Sequence, residues 1–314
     1  MSIEQPARST SPLIVIAGPT GSGKSELALR LAQRLGGEIV NYDSVQIYRG
    51  FDIGSAKPSP AQRALVPHHL FDICDADDDF NAADYGRRAR EVCADIHARG
   101  KRAVLAGGTF FYLRALLSGL PEMPGRDEAL RARIRRIAAA PRGAARLHRW
   151  LSKVDPRSGG TIAAADRHRV ERALEVWLTS GRPISAWERS ASDELPNVKL
   201  ALTVDRGALR DRLDARVAAM YRAGLVEETR ALLARFAETA RPFGTIGYKE
   251  AVHVVRGTMT EAAAIAETQR RTRAYAKRQM TWLRSERNVH WLDATGGIET
   301  TTAAALRQLE EELS

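Results

Sequence analysis

The chain has only two cysteines, Cys74 and Cys93, and they form no Cys-x-x-Cys pair. Cysteine-ligated zinc sites and disulfide scaffolds both need paired thiols at suitable spacing, so neither is suggested, and the two residues read as reduced and partly buried. Runs of eighteen or more apolar residues are also missing, although apolar types make up 44% of the chain. No helix is therefore expected to cross a bilayer. The N-terminal MSIEQPARSTSP lacks the charged-then-apolar layout of a secretion signal. These absences predict a soluble, cytoplasmic protein with no membrane partner.

Acidic residues are the minority charge: 38 Asp and Glu stand against 48 Lys and Arg, a formal net charge of +10. A basic excess suits a polyanionic partner, because clustered Lys and Arg displace counterions from a phosphate backbone, but a merely Arg-rich composition gives the same total. Clustering favours the polyanion. Residues 126 to 149 carry eight Arg, and QRRTRAYAKRQMTWLRSER (269 to 287) mixes seven basic residues with Tyr275 and Trp282. The basic side chains could face phosphates and the two aromatics could face bases.

The apolar run Leu13 to Ala17 enters a Gly-rich turn and then SELALRLAQRL, where Leu27, Leu31 and Leu35 recur every fourth residue. This reads as strand, loop, helix. Further short strands are expected at EIVNY (38 to 42), HLFDI (69 to 73), RAVLAG (102 to 107), KLALTV (199 to 204) and NVHWLD (288 to 293), with a helix over 82 to 99. Alternation of this kind predicts an α/β fold, a parallel sheet flanked by helices. Between GLPEMPG (119 to 125) and SDELPN (192 to 197) the strand signal stops, and Arg- and Ala-rich text predicts two or three helices. The expected organisation is a core in two parts, 1–120 and 198–314, around a helical insertion at 121–197. Amphipathic helices are expected at about 207 to 221, 225 to 238 and 261 to 286.

Gly18-Pro19-Thr20-Gly21-Ser22-Gly23-Lys24-Ser25 has the P-loop spacing of Gly, four residues, Gly, Lys and then Ser or Thr. Such a loop captures anions. Its glycines let backbone N–H groups converge, the following helix adds its positive end, Lys24 adds a point charge, and Ser25 offers a hydroxyl to Mg²⁺. By itself it predicts a bound diphosphate or triphosphate, and a nucleotide with phosphoryl transfer is the ordinary reading.

The next strand runs into DSVQIYRGFDIGSAKP (43 to 58), which resembles the string after the P-loop in tRNA dimethylallyltransferases. Similar blocks follow in family order: GGTFFY (107 to 112), RALEV (172 to 176), LDARVAAM (213 to 220), GYKE (247 to 250) and YAKRQMTW (275 to 282). The resemblance spans nearly the whole chain. It implies a P-loop NTPase-like parallel sheet with a helical insertion domain and a channel through the protein. It also implies transfer of a dimethylallyl group from dimethylallyl diphosphate to N6 of an adenosine beside the tRNA anticodon, with Mg²⁺ as cofactor. Gly18, Pro19, Thr20, Gly21, Ser22, Gly23, Lys24 and Ser25 are then the seat of a leaving diphosphate. Asp43 matches the family's general base, useful because the exocyclic amine of adenine is a poor nucleophile. Without the resemblance Asp43 reads as a magnesium-binding Asp or a helix cap.

Thr109 resembles a residue that holds the diphosphate, and an N-cap role is open beside it. Arg216 resembles an arginine that clamps the diphosphate, with Arg212 one turn away able to be confused with it. For tRNA contact the resemblance points to Asp43, Ser44, Val45, Gln46 and Thr109. It also points to His168, Arg169, Val170, Glu171 and Arg172, and to Gly244, Thr245, Ile246, Gly247, Tyr248 and Lys249. Arg131 is a further candidate from the basic cluster. The family often has Gln where this chain has His168. His68-His69 and the acidic run Asp75 to Asp79 lack metal-site spacing and read as structural. A monomer is expected. The alternatives are a P-loop nucleotide or small-molecule kinase and a non-catalytic tRNA-binding protein.

Overall fold

The computed structural model describes residues 11–187 and 194–313. Part of SDELPN (192 to 197) and most of MSIEQPARSTSP lie outside the described residues. The chain divides into two compact units, one formed by Met1–Leu117 with Glu194–Ser314 and one by Ser118–Asp193.

The larger unit opens with β1 (Leu13–Ala17), α1 (Lys24–Leu35), β2 (Glu38–Asn41), α2 (Pro60–Arg63) and β3 (His68–His69). It continues with α3 (Ala82–Ala98), β4 (Ala103–Ala106) and α4 (Phe110–Ser118). The smaller unit holds α5 (Glu128–Ala139), α6 (Gly143–Val154), α7 (Pro156–Thr161) and α8 (Arg167–Ser180). The larger unit then resumes with β5 (Asn197–Thr203), α9 (Arg206–Arg222), α10 (Leu225–Leu233), α11 (Tyr248–Val255), α12 (Glu261–Leu283), β6 (Val289–Asp293) and α13 (Ile298–Leu313).

The strands form one parallel sheet in the order β3-β2-β4-β1-β5-β6. Every residue of β1 is buried, as expected of a central strand covered on both faces. Ile14 and Ile16 point to one face, where they pack with Leu27 and Leu31 of α1 and Ala305 and Leu309 of α13. Right-handed crossover connections put α3 on the other face, where Tyr85 donates to the carbonyl of Asn41 at 2.9 Å. Parallel strands also bring the turns after β1, β4 and β2 to one edge, the usual place for a ligand in an open sheet.

HLFDI does not form a five-residue strand. Only His68 and His69 pair with β2, because Leu70 (φ 63°) and Asp72 (φ 54°) adopt left-handed backbone that breaks an extended run. The 225–238 helix stops at Leu233. Helix α4 starts directly after Thr109, in keeping with the N-cap role open to that residue, whereas the sequence pattern sets no bounds for α11 and α13, and the smaller unit has four α-helices among its described residues, where two or three were expected. Its core is Ile134, Leu147, Leu151, Val170, Ala173 and Leu174. Beside that core the fully buried carboxylate of Glu175 accepts from Arg131 Nε (2.8 Å), Arg131 Nη2 (2.9 Å), Arg172 Nη1 (2.7 Å) and the amide of Asp127 (2.9 Å). Those cations hold the carboxyl well below its usual range, at about 2, against the opposing effect of burial.

Candidate active site

A cavity of about 550 Å³ lies in the larger unit at the C-terminal edge of the sheet, within the ~300–1,000 Å³ typical of ligand pockets. Its wall includes Thr20, Lys24 and Ser25 from the P-loop, Asp43 to Gln46 after β2, Gly107 to Thr109 after β4, and Arg216 from α9. Gly244 to Gly247 and, from α12, Arg271, Tyr275, Arg278 and Gln279 complete it.

The loop from Gly18 to Ser25 turns directly into α1. Gly23 is the N-cap with φ 92°, a conformation that strains any residue with a Cβ, and it leaves the helix start without a side-chain cap. The first amides of α1 are thus free for an anion. Ser22 Oγ is buried with no hydrogen-bond partner among the described residues. Lys24 Nζ donates to the carbonyl of Pro19 at 2.8 Å. Burial, with the charge of Arg216 adding to it, pushes the Lys24 amine down to about 7, and Asp43 opposes this.

Asp43 is held from several directions. Its amide donates to Asn41 Oδ1 at 2.9 Å, and Asn41, fully buried, also donates to the carbonyls of Leu70 (2.9 Å) and Asp43 (3.3 Å). Asp43 Oδ1 accepts from the amides of Val45 (2.9 Å) and Gln46 (3.4 Å), while Oδ2 has no hydrogen-bond partner among the described residues. Desolvation raises the Asp43 pKa above the ordinary aspartate value, opposed by those two amides and by the charges of Lys24 and Arg216. A carboxylate with one oxygen fixed, the other free and its proton affinity raised is suited to accept a proton.

Thr109 joins neighbouring turns. Its Oγ1 accepts from the Ser44 amide at 3.0 Å and donates to the Ser44 hydroxyl at 3.0 Å. The close approach needs glycine at 107, where a Cβ would lie 2.5 Å from the carbonyl carbon of Tyr42. Arg216 shares a helical face with the buried Leu213 and Val217, so the face that packs α9 also carries the guanidinium into the cavity. Arg212 is exposed and absent from the cavity wall. Burial lowers the Arg216 pKa, opposed by Asp43, yet a guanidinium stays charged.

Ser25 presents its hydroxyl at the cavity wall, and no cluster of three His, Cys, Asp or Glu able to hold a metal occurs among the described residues. One hydroxyl without a protein cage fits Mg²⁺, which commonly takes its other oxygens from a substrate phosphate and water.

The proposed RNA-contact residues separate by environment. Ser44, Val45, Gln46, Thr245, Ile246 and Gly247 line the cavity, and Lys249 is exposed. Tyr248 is fully buried and donates to Glu228 at 2.6 Å, which gives it a packing role. In the smaller unit His168 and Arg169 are exposed. Val170 sits in the core, Glu171 takes Arg135 at 2.9 Å, and Arg131 and Arg172 are engaged by Glu175. These four therefore have intramolecular roles that the sequence did not reveal. Trp282 stacks on Phe110 with ring centroids 4.2 Å apart, so that face of the indole is taken. His69 pairs with Glu38 at 2.7 Å. Cys74 and Cys93 are buried free thiols, raised to about 11 and about 12 by desolvation.

Sequence reasoning gave no role to Gln279, although it lay inside a quoted block. Its partners, Thr20 and Gly108, are 259 and 171 residues away, beyond any local pattern.

An anion loop and a poised carboxylate on the wall of one cavity, with Lys24 and Arg216 coupled to that carboxylate by charge, define a group-transfer enzyme of the P-loop class. The IPP transferase family model matches residues 46–286. A tRNA dimethylallyltransferase from Geobacter sulfurreducens is 44% identical over 305 residues, 96% of this chain and 98% of that protein. Among solved structures, the full-length tRNA isopentenylpyrophosphate transferase of Bacillus halodurans aligns with TM-score 0.70 at 36% identity, covering 96% of this chain and 97% of that one. A eukaryotic dimethylallyltransferase acting on tRNA aligns with TM-score 0.81 at 26% identity, over 96% of this chain and 79% of that one. The chain belongs to the tRNA dimethylallyltransferase family, and is a prenyltransferase.

Proposed function

We propose that this chain transfers the dimethylallyl group of dimethylallyl diphosphate to the N6 amine of an adenosine beside the tRNA anticodon, giving N6-dimethylallyladenosine and diphosphate. The observation that carries this reading is the free Oδ2 of Asp43, in one cavity with the P-loop, Lys24 and Arg216.

In the reaction, the N6 lone pair attacks the first prenyl carbon. The bond from that carbon to the bridging oxygen breaks, its electron pair leaves with the diphosphate, and the N6 proton passes to Asp43. The free amides at the start of α1, Lys24 and Arg216 stabilise the charge that grows on the diphosphate, and Thr109 keeps the Asp43 turn in register with the turn after β4. Mg²⁺ held by Ser25 and the diphosphate would supply further charge neutralisation. The adenosine must leave its stack to reach the cavity, where Ser44 to Gln46 and Thr245 to Gly247 form the nearby wall. His168 and Arg169 are the exposed candidates for tRNA contact in the smaller unit.

The chain acts as a cytoplasmic monomer on this reading. No described helix is long and apolar enough to cross a membrane. The test is mass spectrometry of nucleosides from unmodified tRNA incubated with protein, Mg²⁺ and either dimethylallyl diphosphate or ATP. A prenylated adenosine with the prenyl donor alone supports the reading. Consumption of ATP without any adduct would transfer the assignment to a P-loop kinase.

A further inference from the structure

Gln279 reaches from α12 into the heart of the site and is 3% exposed. Its Oε1 accepts from the amide of Thr20, inside the P-loop, at 2.7 Å. Its Nε2 donates to the carbonyl of Gly108, in the turn that carries Thr109, at 3.0 Å. The assignment of the two amide ends is fixed, because an N–H must face an acceptor and a carbonyl must face a donor. Tyr275, one turn earlier, donates to the same Gly108 carbonyl at 2.7 Å. A Cβ on Gly108 would approach Gln279 Nε2 to 3.0 Å and Asp43 Oδ2 to 3.1 Å, so the carboxamide and the free carboxylate oxygen flank one glycine.

The bridge has two consequences. Two P-loop amides are already satisfied from within the protein, Thr20 by Gln279 and Ser22 by the Pro19 carbonyl at 3.2 Å, so the anion cradle is formed by the remaining amides of the loop and the start of α1. The same carboxamide also sets the spacing between that cradle and the turn after β4, whose Thr109 bonds to Ser44 beside Asp43. We infer that Gln279 is a positioning residue that fixes the diphosphate cradle relative to the Asp43 carboxylate. The inference rests on the proposed reading that the P-loop holds a diphosphate.

A glutamate at this position gives a test that simple loss of packing cannot mimic. Protonated, the carboxyl reproduces the carboxamide, with one oxygen accepting from Thr20 and an O–H donating to Gly108. Ionised, it has no proton for Gly108 and sets a negative charge beside an anion site. Binding of inorganic diphosphate with Mg²⁺ is measured by calorimetry at pH 5.5 and pH 8 for the full chain, Gln279→Glu and Gln279→Leu. The readout is the ratio of each variant's dissociation constant to that of the unmodified chain at the same pH, which cancels titration of the ligand.

Expected for Gln279→Glu is a ratio within about threefold of one at pH 5.5 that rises beyond tenfold at pH 8; for Gln279→Leu, about tenfold at both. Ratios near one for both variants at pH 8 overturn the inference and leave the diphosphate reading intact. A Gln279→Glu ratio that is large and the same at both pH values also overturns it. Failure of the unmodified chain to bind diphosphate removes the inference together with the reading beneath it.

Discussion

Raising the pH from 7 to 9 is expected to weaken donor binding through one group, Lys24. Its ammonium sits behind the P-loop with Arg216 nearby, and burial with that like charge brings its pKa down to about 7 from the ordinary 10.5. With the cavity empty, roughly nine-tenths of Lys24 is therefore neutral at pH 8, one unit above its pKa. A bound diphosphate reverses the balance by placing negative charge beside the amine. The folded, empty chain must then take up a proton to bind. Above pH 7, kcat/KM for the donor should fall by about tenfold per pH unit, while kcat at saturating donor changes little over the same range. Calorimetric titration of diphosphate in two buffers of different ionisation enthalpy at pH 8, run beside Lys24→Met so that protons exchanged by the ligand cancel, counts the proton: the unmodified chain should take up roughly 0.9 more, from the fraction above. Lys24→Met should remove both the uptake and the slope. A difference near zero between the unmodified chain and Lys24→Met at pH 8, with a flat kcat/KM, would refute the electrostatic reasoning for this lysine.

Other perturbations separate site from scaffold. Arg216→Ala should lower kcat/KM for the donor by roughly a hundredfold or more, the cost of one donor to a developing oxyanion. Arg212→Ala, one turn away and exposed, should stay within twofold in the same assay. Glu175→Ala leaves the guanidinium groups of Arg131 and Arg172 without their shared carboxylate, and should cost about 3–5 kcal/mol of stability in denaturant melts. The Glu175 carboxyl titrates at about 2 in the folded chain against 4.5 unperturbed. Because the folded value is depressed, its stabilisation is complete above pH 4.5 and is lost as pH falls through 2; thermal melts from pH 6 to pH 2 check this window.

The P-loop and the strands flanking it were readable in the sequence because both signals are local: a fixed spacing of Gly, Lys and Ser, and apolar runs closed by Gly. The family strings then carried Asp43, Thr109 and Arg216, each of which lies on the cavity wall. Local signals misled where the backbone departs from its composition, as at Leu70 and Asp72, whose left-handed turn interrupts text that reads as a strand. Long-range pairing was invisible. Arg131 and Arg172 look like free cations until Glu175 is seen between them, and Gln279 looks like one more polar residue on a basic helix until its two ends are traced to Thr20 and Gly108. Asn41 is similar, because nothing in EIVNY marks it as the side chain that fixes both backbone ends of Asp43.

The central claim is that Asp43 accepts the proton from the attacking amine, and single-turnover prenylation by Asp43→Ala tests it most directly when read beside tRNA binding by the same preparation. Expected is a fall in the chemical step of roughly a hundredfold to ten-thousandfold, the usual worth of a general base, with the tRNA dissociation constant within a few-fold of the unmodified chain. A variant that turns over at the original rate would contradict the claim and remove Asp43 from the mechanism.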